Sequence, residues 1–393
     1  MRNNKLIALS RRELLTGASA LGTYAAPSGT VSATSCPMIF GVSDHLHSAR
    51  NSQVQTNVMW GSQLGAKITR FDAIWAEVEL TQGVYTIPAN PLGPDWDYQV
   101  NLQLASGIET LMILNYGHPL YNVSGEAGTS LNSAHITAFQ NYITFMVNHF
   151  WPRVTKYEIT NEWDIATGGL GGGIPGTYMQ LITAAYSTIK GLQPSAVVLG
   201  EGPSRAGMTS YLLEGPPSPG IGPEQLFLAN QLNAGILSHC DGLAIHPYCR
   251  WGNSFGSDVN AKIASFTFLL NAIDADCRAH NGGVSFPLYI TECGWPTPPS
   301  NVPILTCSFE DQAALVSQAI TNAAARPYVK MFIYYDLIDL TVTTNQAFNY
   351  GLVGFYGPPP GNSSKLAYGA AACASRACRP DNGKSMTCLR YRL

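Results

Sequence analysis

The feature that most constrains the fold is a repeated alternation of short apolar runs with longer segments of helical character. After residue 37 the runs lie at 38–42, 66–71, 110–114, 154–160, 196–199, 242–245, 288–291 and 331–335. They begin at intervals of roughly 30 to 45 residues, which is typical of successive strand–helix units. Most of them lack a polar–apolar alternation, as expected for parallel strands that are covered on both faces. The pattern therefore predicts eight parallel strands.

The segments between these runs are predicted to be helices, for example 133–149, 177–190, 259–280 and 311–325. Eight strand–helix units predict an α/β fold with a single (β/α)8 (TIM) barrel, in which the carboxyl ends of the strands converge at one mouth. The chain of 393 residues suits one such barrel. A doubly wound sheet is the alternative, but Gly41-Val42-Ser43-Asp44 lacks the glycine-rich phosphate loop that usually follows its first strand.

The composition narrows the class of ligand. Charged residues make up only 12% of the chain and the formal net charge is −3, which argues against a nucleic-acid-binding protein. No uncharged apolar run of about 18 residues follows the N-terminal region, so we expect no transmembrane helix in the body of the chain. Few charges together with many aromatic and small polar residues indicate a neutral, hydroxyl-rich ligand.

Residues 1–35 predict a targeting segment rather than part of the fold. Arg11 and Arg12 precede a weakly apolar run at 14–26, and this arrangement resembles a bacterial twin-arginine export signal. Small residues at 31–33 would suit a signal peptidase. We therefore expect an exported protein, periplasmic or extracellular, and a disordered tail or lipidation at Cys36 remain as alternatives.

The chain contains nine cysteines, and export permits disulfides. The odd number leaves at least one cysteine outside an intramolecular disulfide. Cys373, Cys378 and Cys388 lie near the C-terminus, where a disulfide would hold the tail. No CxxC pair occurs, so a zinc ribbon is not expected. The predicted organisation is an export signal at 1–35, a barrel domain at 36–375 and a cysteine-containing extension at 376–393.

Two glutamates stand where predicted strands end. The run Tyr-Glu-Ile-Thr-Asn-Glu-Trp at 157–163 carries Asn161-Glu162 after strand four, and Leu-Tyr-Ile-Thr-Glu-Cys at 288–293 carries Glu292 after strand seven. In a closed barrel these two ends face each other across the mouth. Cleaving a glycosidic bond needs a proton donor at the leaving oxygen and a carboxylate at the anomeric carbon. Two neighbouring carboxylates also separate their pKa values, so that one stays protonated.

These residues resemble the retaining glycoside hydrolases of clan A. Four further segments are similar to the same group: Arg70 at the end of strand two, Trp75 to Tyr85, Asn115-Tyr116-Gly117-His118-Pro119, and Ile245-His246-Pro247-Tyr248. The resemblance covers roughly residues 38–375. It is closest to family 39-like enzymes, which include β-xylosidases and bacterial exopolysaccharide endo-hydrolases.

The resemblance implies a role for each matching residue. Glu162 looks like the acid/base and Glu292 like the nucleophile of a double displacement. Asn161 would hydrogen-bond the 2-hydroxyl of the sugar, a contact that strengthens in the transition state. Arg70 would keep Glu292 ionised.

Further residues are expected around this pair. His246 or Tyr248 would orient a catalytic carboxylate, and Glu158 is expected one layer deeper on the same face as Glu162. Many clan members carry a tryptophan at the end of strand eight, where this chain has Tyr335. Tyr335 substitutes for that tryptophan or the subsite differs, so the identity of the sugar stays open.

Other candidates for substrate contact follow strands one, four, six and seven. Trp163, Trp251 and Trp295 would stack on sugar faces, with ordinary packing as the alternative for each. His45 and His47 are expected to contact sugar hydroxyls or to take part in packing. These assignments complete a site for a carbohydrate substrate that needs no metal and no other cofactor.

A metal-dependent hydrolase is the rival from another class. Asp44-His45-Leu46-His47 resembles the metal-binding start of amidohydrolases, and His246 would join His45 and His47 as a ligand. This interpretation lacks the expected lysine at strand four and leaves Glu292 without a role. A barrel that only binds glycan is a further alternative, although it leaves both glutamates unexplained. The sequence thus favours an exported retaining enzyme for β-linked glycosidic bonds, with its oligomeric state open.

Overall fold

The structure is a computed structural model. It describes residues 38–44, 49–90, 92–115, 117–121, 133–163, 175–204, 227–248, 258–297, 307–339, 349–354 and 363–377. The predicted export signal, Cys36, His45, His47, Trp251 and residues 378–393 lie outside these ranges.

Eight parallel strands form a closed barrel in sequence order. They are β1 (Ile39–Ser43), β2 (Ile68–Ile74), β3 (Glu109–Asn115), β4 (Lys156–Ile159), β5 (Val197–Glu201), β6 (Gly242–Ile245), β7 (Leu288–Cys293) and β8 (Val329–Tyr334). Strand β8 pairs with β1, which closes the ring and leaves neither strand as a sheet edge. The predicted single (β/α)8 barrel is confirmed.

Helices surround the barrel. They are α1 (Asn51–Leu64), α2 (Trp75–Val78), α3 (Trp96–Ala105), α4 (Ser133–Phe150), α5 (Pro175–Leu192), α6 (Phe227–Asn233), α7 (Val259–His280), α8 (Phe309–Ala324) and α9 (Leu366–Ala377). A short antiparallel pair, β9 (Val353–Gly354) and β10 (Ser363–Ser364), follows β8. Within the described ranges, none of the helices combines the length and the apolar character that crossing a membrane requires.

The inside of the barrel contains an apolar layer and, above it, a charged layer. Its apolar floor consists of Ile68, Leu111, Leu199, Ala244, Met331 and Ile333. Side chains of one face recur every second residue along a strand. Two residues beyond Ile68, β2 therefore presents Arg70 to the same interior, and Glu158 of β4 meets it there. The barrel is thus closed below and carries a charged layer at the carboxyl ends of its strands.

Cysteines in the described ranges fall into two kinds. Cys373, on α9, is disulfide-bonded. Cys240 and Cys277 are buried thiols outside any disulfide, and burial raises the pKa of each to about 12. Such thiols stay protonated and act as small apolar groups in the core.

Candidate active site

The turn after β4 brings two successive side chains into the mouth of the barrel. In a regular strand, neighbours such as Asn161 and Glu162 would point to opposite faces. Here Thr160 and Glu162 have φ angles of 67° and 48°, in the left-handed region. Asn161 thereby reaches Arg70, with Oδ1 2.7 Å from Nη2, while Glu162 reaches His246. Departure from strand geometry is what lets both residues face the same centre.

Arg70 lies at the centre of the site and is only 4% exposed. It donates to both oxygens of Glu158, from Nε at 2.9 Å and from Nη2 at 2.7 Å. Its Nη1 donates to Glu292 Oε2 at 3.0 Å. Such a paired contact between a guanidinium and a carboxylate is strong and fixes the orientation of both groups. Arg70 therefore links the deeper acid Glu158 to Glu292 at the mouth.

Glu158 is an ionised carboxylate in the interior of the barrel. Burial alone would raise its pKa, but the charge and hydrogen bonds of Arg70, together with His246 at 3.9 Å, outweigh burial and lower the pKa to about 2. Thr291 also donates to its Oε1 at 3.2 Å. This permanent negative charge lies below the two glutamates of the mouth.

His246 connects the two candidate catalytic carboxylates. Its Nδ1 lies 2.9 Å from Glu162 Oε1 and 3.8 Å from Glu292 Oε2. Its Nε2 lies 3.2 Å from the hydroxyl oxygen of Thr291. Burial would lower its pKa, but the charge of Glu292, the Glu158 carboxylate at 3.9 Å and the contact to Glu162 raise the pKa to about 10. The raised pKa favours the imidazolium form, in which both nitrogens are donors.

Glu292 receives hydrogen bonds at both oxygens. Tyr248 donates its hydroxyl to Oε1 at 2.6 Å, and Arg70 donates to Oε2. Burial raises the pKa of Glu292, the charge of His246 opposes that rise, and the negative charge of Glu162 adds to it. An oxygen of Glu292, an oxygen of Glu162 and a nitrogen of His246 all lie within 4.8 Å of one another.

Tyrosines form the side of the mouth near β8. The ring of Tyr335 lies edge-on to Tyr350 at 5.3 Å, and Tyr350 lies edge-on to Tyr248 at 6.1 Å. The peptide between Tyr335 and Asp336 is cis. Burial, with the charges of Asp336 and Glu292, raises the pKa of Tyr335, which keeps its hydroxyl neutral. Tyr335 is half-buried and close to the nucleophile candidate.

Two tryptophans that the sequence suggested for substrate contact follow the alternative of ordinary packing. Trp163 and Trp295 are 2% and 5% exposed. Their rings pack against Tyr178 and Tyr334, with centroids 5.7 Å and 6.5 Å apart. Protein covers both indoles almost completely, so in this structure they are packing residues and not open stacking surfaces.

Two residues close to the site were missed by the sequence analysis. Thr291 contacts both His246 and Glu158, but a threonine inside a predicted strand gives no signal of its own. Glu201 ends β5, two residues beyond the predicted end of that strand at Leu199. Its position at a strand end, the same property that singled out Glu162 and Glu292, was available in the sequence.

The ligand atoms of Glu162, His246 and Glu292 lie close together, but they already contact neighbouring groups. Arg70 and Tyr248 donate to the two oxygens of Glu292, and His246 Nδ1 contacts Glu162 at 2.9 Å. The fixed positive charge of Arg70 at 3.0 Å from Glu292 Oε2 disfavours a metal cation at the same oxygen. The other proposed ligands, His45 and His47, lie outside the described residues.

Comparisons with solved structures find the same barrel in glycoside hydrolases. A family 39 glycoside hydrolase from Bacteroides cellulosilyticus WH2 is 20% identical with a TM-score of 0.62, covering 86% of this chain and 64% of that one. A GH5_18 protein from Streptomyces cattleya, in complex with GlcNAc, is 15% identical with a TM-score of 0.66, covering 89% and 82%. A Bacteroides uniformis β-glucuronidase is 13% identical with a TM-score of 0.56, covering 86% and 35%.

These identities establish likeness of fold. The chain spans about two thirds of the length of the family 39 protein and about one third of that of the β-glucuronidase. No protein-family model matches the sequence. No curated protein matches it either. The chain therefore has the same (β/α)8 barrel fold as these glycoside hydrolases of families 39, 2 and 5.

Proposed function

We propose that this protein is a retaining glycoside hydrolase that cleaves β-linked bonds of an oligosaccharide or polysaccharide. The observation that carries the proposal is the approach of Glu162 and Glu292 to within 4.8 Å, measured between carboxylate oxygens. Retaining enzymes hold their two carboxyl groups about 5–5.5 Å apart, whereas inverting enzymes leave about 6.5–9.5 Å for a water molecule. The short separation favours direct attack by one carboxylate.

The surrounding charges favour a single proton on the pair of Glu162 and Glu292, carried by Glu162. A proton on Glu162 removes the negative charge that raises the pKa of Glu292. Arg70 and Tyr248 then donate to an ionised Glu292. These two hydrogen bonds stabilise the ionised form of Glu292, which supports Glu292 as the nucleophile and leaves Glu162 as the acid.

The reaction follows as two displacements. Glu162 gives its proton to the glycosidic oxygen while Glu292 attacks the anomeric carbon, which forms a glycosyl ester and releases the first product. Glu162, now a carboxylate, takes a proton from water as the water attacks the same carbon. Glu292 leaves with its electron pair, Glu162 is protonated again, and the configuration is retained.

Export is part of the proposal. The arginine pair and apolar run within 1–35 support a twin-arginine-type signal. The disulfide at Cys373 supports an oxidising compartment outside the cytosol. A secreted glycosidase would meet polymers too large to enter the cell. Detection of the processed chain in a periplasmic or extracellular fraction tests this point, and retention of an unprocessed chain in the cytosol would contradict it.

The first prediction concerns chemical rescue. With a panel of aryl β-glycosides and soluble polysaccharides we expect sugar release that EDTA does not inhibit. Glu292→Ala should lose turnover and recover it with azide, forming a glycosyl azide of inverted configuration. Glu162→Ala should lose about 10²–10⁴-fold on substrates with poor leaving groups. Retained activity in both alanine variants, or EDTA-sensitive cleavage of amides or esters alone, would reject the assignment.

A further inference from the structure

We propose that Glu201, at the end of β5, is a positioning residue that holds the acid/base turn of Thr160 to Trp163 in its active conformation. The inference rests on the proposed function because it assigns Glu201 an effect that acts through Glu162. It goes beyond that function because it concerns how the turn that carries Glu162 is held, and not the two displacement steps. Three observations carry it.

The first observation is that β4 and β5 separate below the turn. Their parallel pairing runs from Lys156 opposite Val197 to Glu158 opposite Leu199, where it ends. Above that level β5 stays attached to β6, with Glu201 opposite Ala244. The turn that follows β4 therefore lacks the backbone ladder to β5 that would otherwise hold it.

The second observation is the strain of the turn itself. Thr160 and Glu162 are the two non-glycine residues with positive φ in the described part of the chain. The left-handed region is unfavourable for any side chain and especially for a β-branched residue such as Thr160. Each such residue costs about 1–3 kcal/mol and persists only where its surroundings enforce the conformation. Something outside the turn must supply that constraint.

The third observation is that the Glu201 carboxylate bonds both ends of the turn. Its Oε2 accepts from the Thr160 hydroxyl at 2.8 Å, and its Oε1 accepts from the backbone N–H of Trp163. These two residues flank Asn161-Glu162. Glu201 is 4% exposed, so water does not compete freely for these contacts. The Glu201 carboxylate thus fixes Thr160 and Trp163, the two residues on either side of the Asn161-Glu162 pair.

Tyr178 of α5 fixes Glu201 in turn. Its hydroxyl accepts from the backbone N–H of Glu201 at 2.6 Å and donates to the carbonyl of Ile159 at 3.0 Å. Tyr178 is fully buried, and burial together with the charge of Glu201 raises its pKa, so the hydroxyl stays neutral. It bridges β4 and β5 where their ladder has ended. Glu201 is therefore held rigidly enough to hold the turn.

The consequence for catalysis is the placement of Glu162. The turn sets Glu162 Oε1 2.9 Å from His246 Nδ1 and within 4.8 Å of Glu292. A catalytic group that moves by about 1 Å can lose about 10²-fold in rate. Release of the turn should therefore impair proton donation to the leaving oxygen while the nucleophile Glu292, held by Arg70 and Tyr248, stays in place.

The test compares Glu201→Ala with Glu201→Gln. A glutamine keeps both contacts, because its oxygen accepts from the Trp163 N–H and its NH₂ group donates to the Thr160 hydroxyl. We expect kcat/KM of Glu201→Ala to fall about 10²-fold on phenyl β-glycosides of the sugar that the panel identifies. On the 2,4-dinitrophenyl β-glycoside, whose leaving group needs no proton, kcat/KM should stay near wild type. Glu201→Gln should resemble wild type on both substrates.

Glu79→Ala is the matched control. Glu79 is also a fully buried glutamate, accepting from Trp75 Nε1 and from the Gly83 N–H, both at 2.6 Å. Its loss should lower thermal stability without any dependence on the leaving group. A Glu201→Ala variant that loses the same factor on both substrates would behave as this control does, and would overturn the inference. So would a Glu201→Gln variant as inactive as Glu201→Ala.

A crystal structure of Glu201→Ala provides a readout that does not need activity. We expect the contact between Glu162 Oε1 and His246 Nδ1 to be lost and the φ angles of the turn to leave the left-handed region. An unchanged turn would overturn the inference. If the wild type cleaves no glycoside, the proposed function fails while this structure still decides the positioning role. If Glu162→Ala shows the leaving-group dependence and Glu201→Ala does not, only the inference fails.

Discussion

Arg70 shows how one side chain can serve two acids. The resemblance implied that it would hold Glu292 ionised, and its Nη1 does donate to Glu292. Its paired contact, however, is with Glu158, which lies deeper. An isolated buried charge is costly, so the guanidinium needs a partner in the interior as well as one at the mouth. Glu158 supplies that partner and makes Arg70 a fixed cation beneath the candidate nucleophile.

The lowered pKa of Glu158 predicts how stability depends on acid. Its pKa falls from an ordinary 4.5 to about 2 in the folded protein. A group with a depressed pKa stabilises the fold above its unfolded value, and the contribution is lost as the pH falls through the folded value. We therefore expect the free energy of unfolding to decrease as the pH drops from 4.5 towards 2.

Urea unfolding at successive pH values measures this effect. Glu158→Gln is the reference, because its amide has no proton to gain in that range. The wild type should lose more stability than Glu158→Gln between the two limits, so that the gap between their unfolding free energies narrows. Parallel curves for the two proteins would show that Glu158 does not titrate as its contacts indicate.

At the scale of the elements, a buried lysine joins the β9–β10 pair to the barrel. Lys365 follows β10, and its Nζ donates to Asp339 Oδ1 and Thr297 Oγ1, both at 2.8 Å. Thr297 lies beyond the end of β7 and Asp339 beyond β8. Asp339 also accepts from the backbone N–H of Gly351 at 2.8 Å. The network holds together the segments that follow β7, β8 and β10.

Removing this lysine should be costly. Lys365→Met leaves Asp339 buried without this cation, and breaking a buried pair from one side costs about 3–5 kcal/mol. Chemical denaturation measures the loss. Lys330→Met is the control, since its Nζ contacts the carbonyl of Pro327 near the surface and its loss should stay within about 0.5 kcal/mol. Equal losses in the two variants would refute a special role for the network.

The elements also show what the sequence can and cannot predict. Periodicity and strand spacing predicted the barrel and gave the bounds of β6 and α7 as the structure has them. The end of β4 was predicted too late, at Thr160, because propensity favours a strand where the backbone turns left-handed. That turn depends on Glu201, about 40 residues later in the chain, so no local pattern encodes it.

For the candidate site, the sequence predicted which residues meet but not which of them are buried. Glu162, Glu292, Arg70, His246 and Tyr248 come together as the resemblance implied. The burial of Trp163 and Trp295 depends on how helices pack over the barrel, and the sequence around a tryptophan does not determine that packing. Spacing along strands identifies which groups meet, whereas exposure is decided by contacts between distant elements.

On the scale of the whole molecule, α9 joins the two ends of the described chain. It packs against α8 and also contacts α1. The Tyr368 hydroxyl donates to the carbonyl of Trp60 at 2.8 Å, and their rings meet edge-on at 5.3 Å. Ala367 and Ala371 are fully buried. Small residues on this face let α9 approach its neighbours closely and complete the outer layer.

Overfilling this interface should destabilise the protein. Ala371 is fully buried, so Ala371→Leu adds volume to a packed interface. Overpacking a core costs about 1–3 kcal/mol. Ala105→Leu, the same substitution at an exposed position of α3, should change stability by no more than about 0.5 kcal/mol. Denaturant unfolding compares them. A stability for Ala371→Leu equal to that of Ala105→Leu would mean that α9 adds little to the whole.

The separation of β4 from β5 has a consequence for the evolution of this barrel and for transferring its site to another protein. Thr160, Tyr178 and Glu201 belong to three elements, yet they hold one another where the ladder has ended. A substitution at any one of these positions removes a contact of the other two. We therefore expect the three positions to be substituted together in related proteins. Grafting the Asn161-Glu162 pair alone onto another barrel would transfer the acid without the contacts of Glu201 and Tyr178 that hold its turn. The smallest transplantable unit spans strand four, the following helix and strand five.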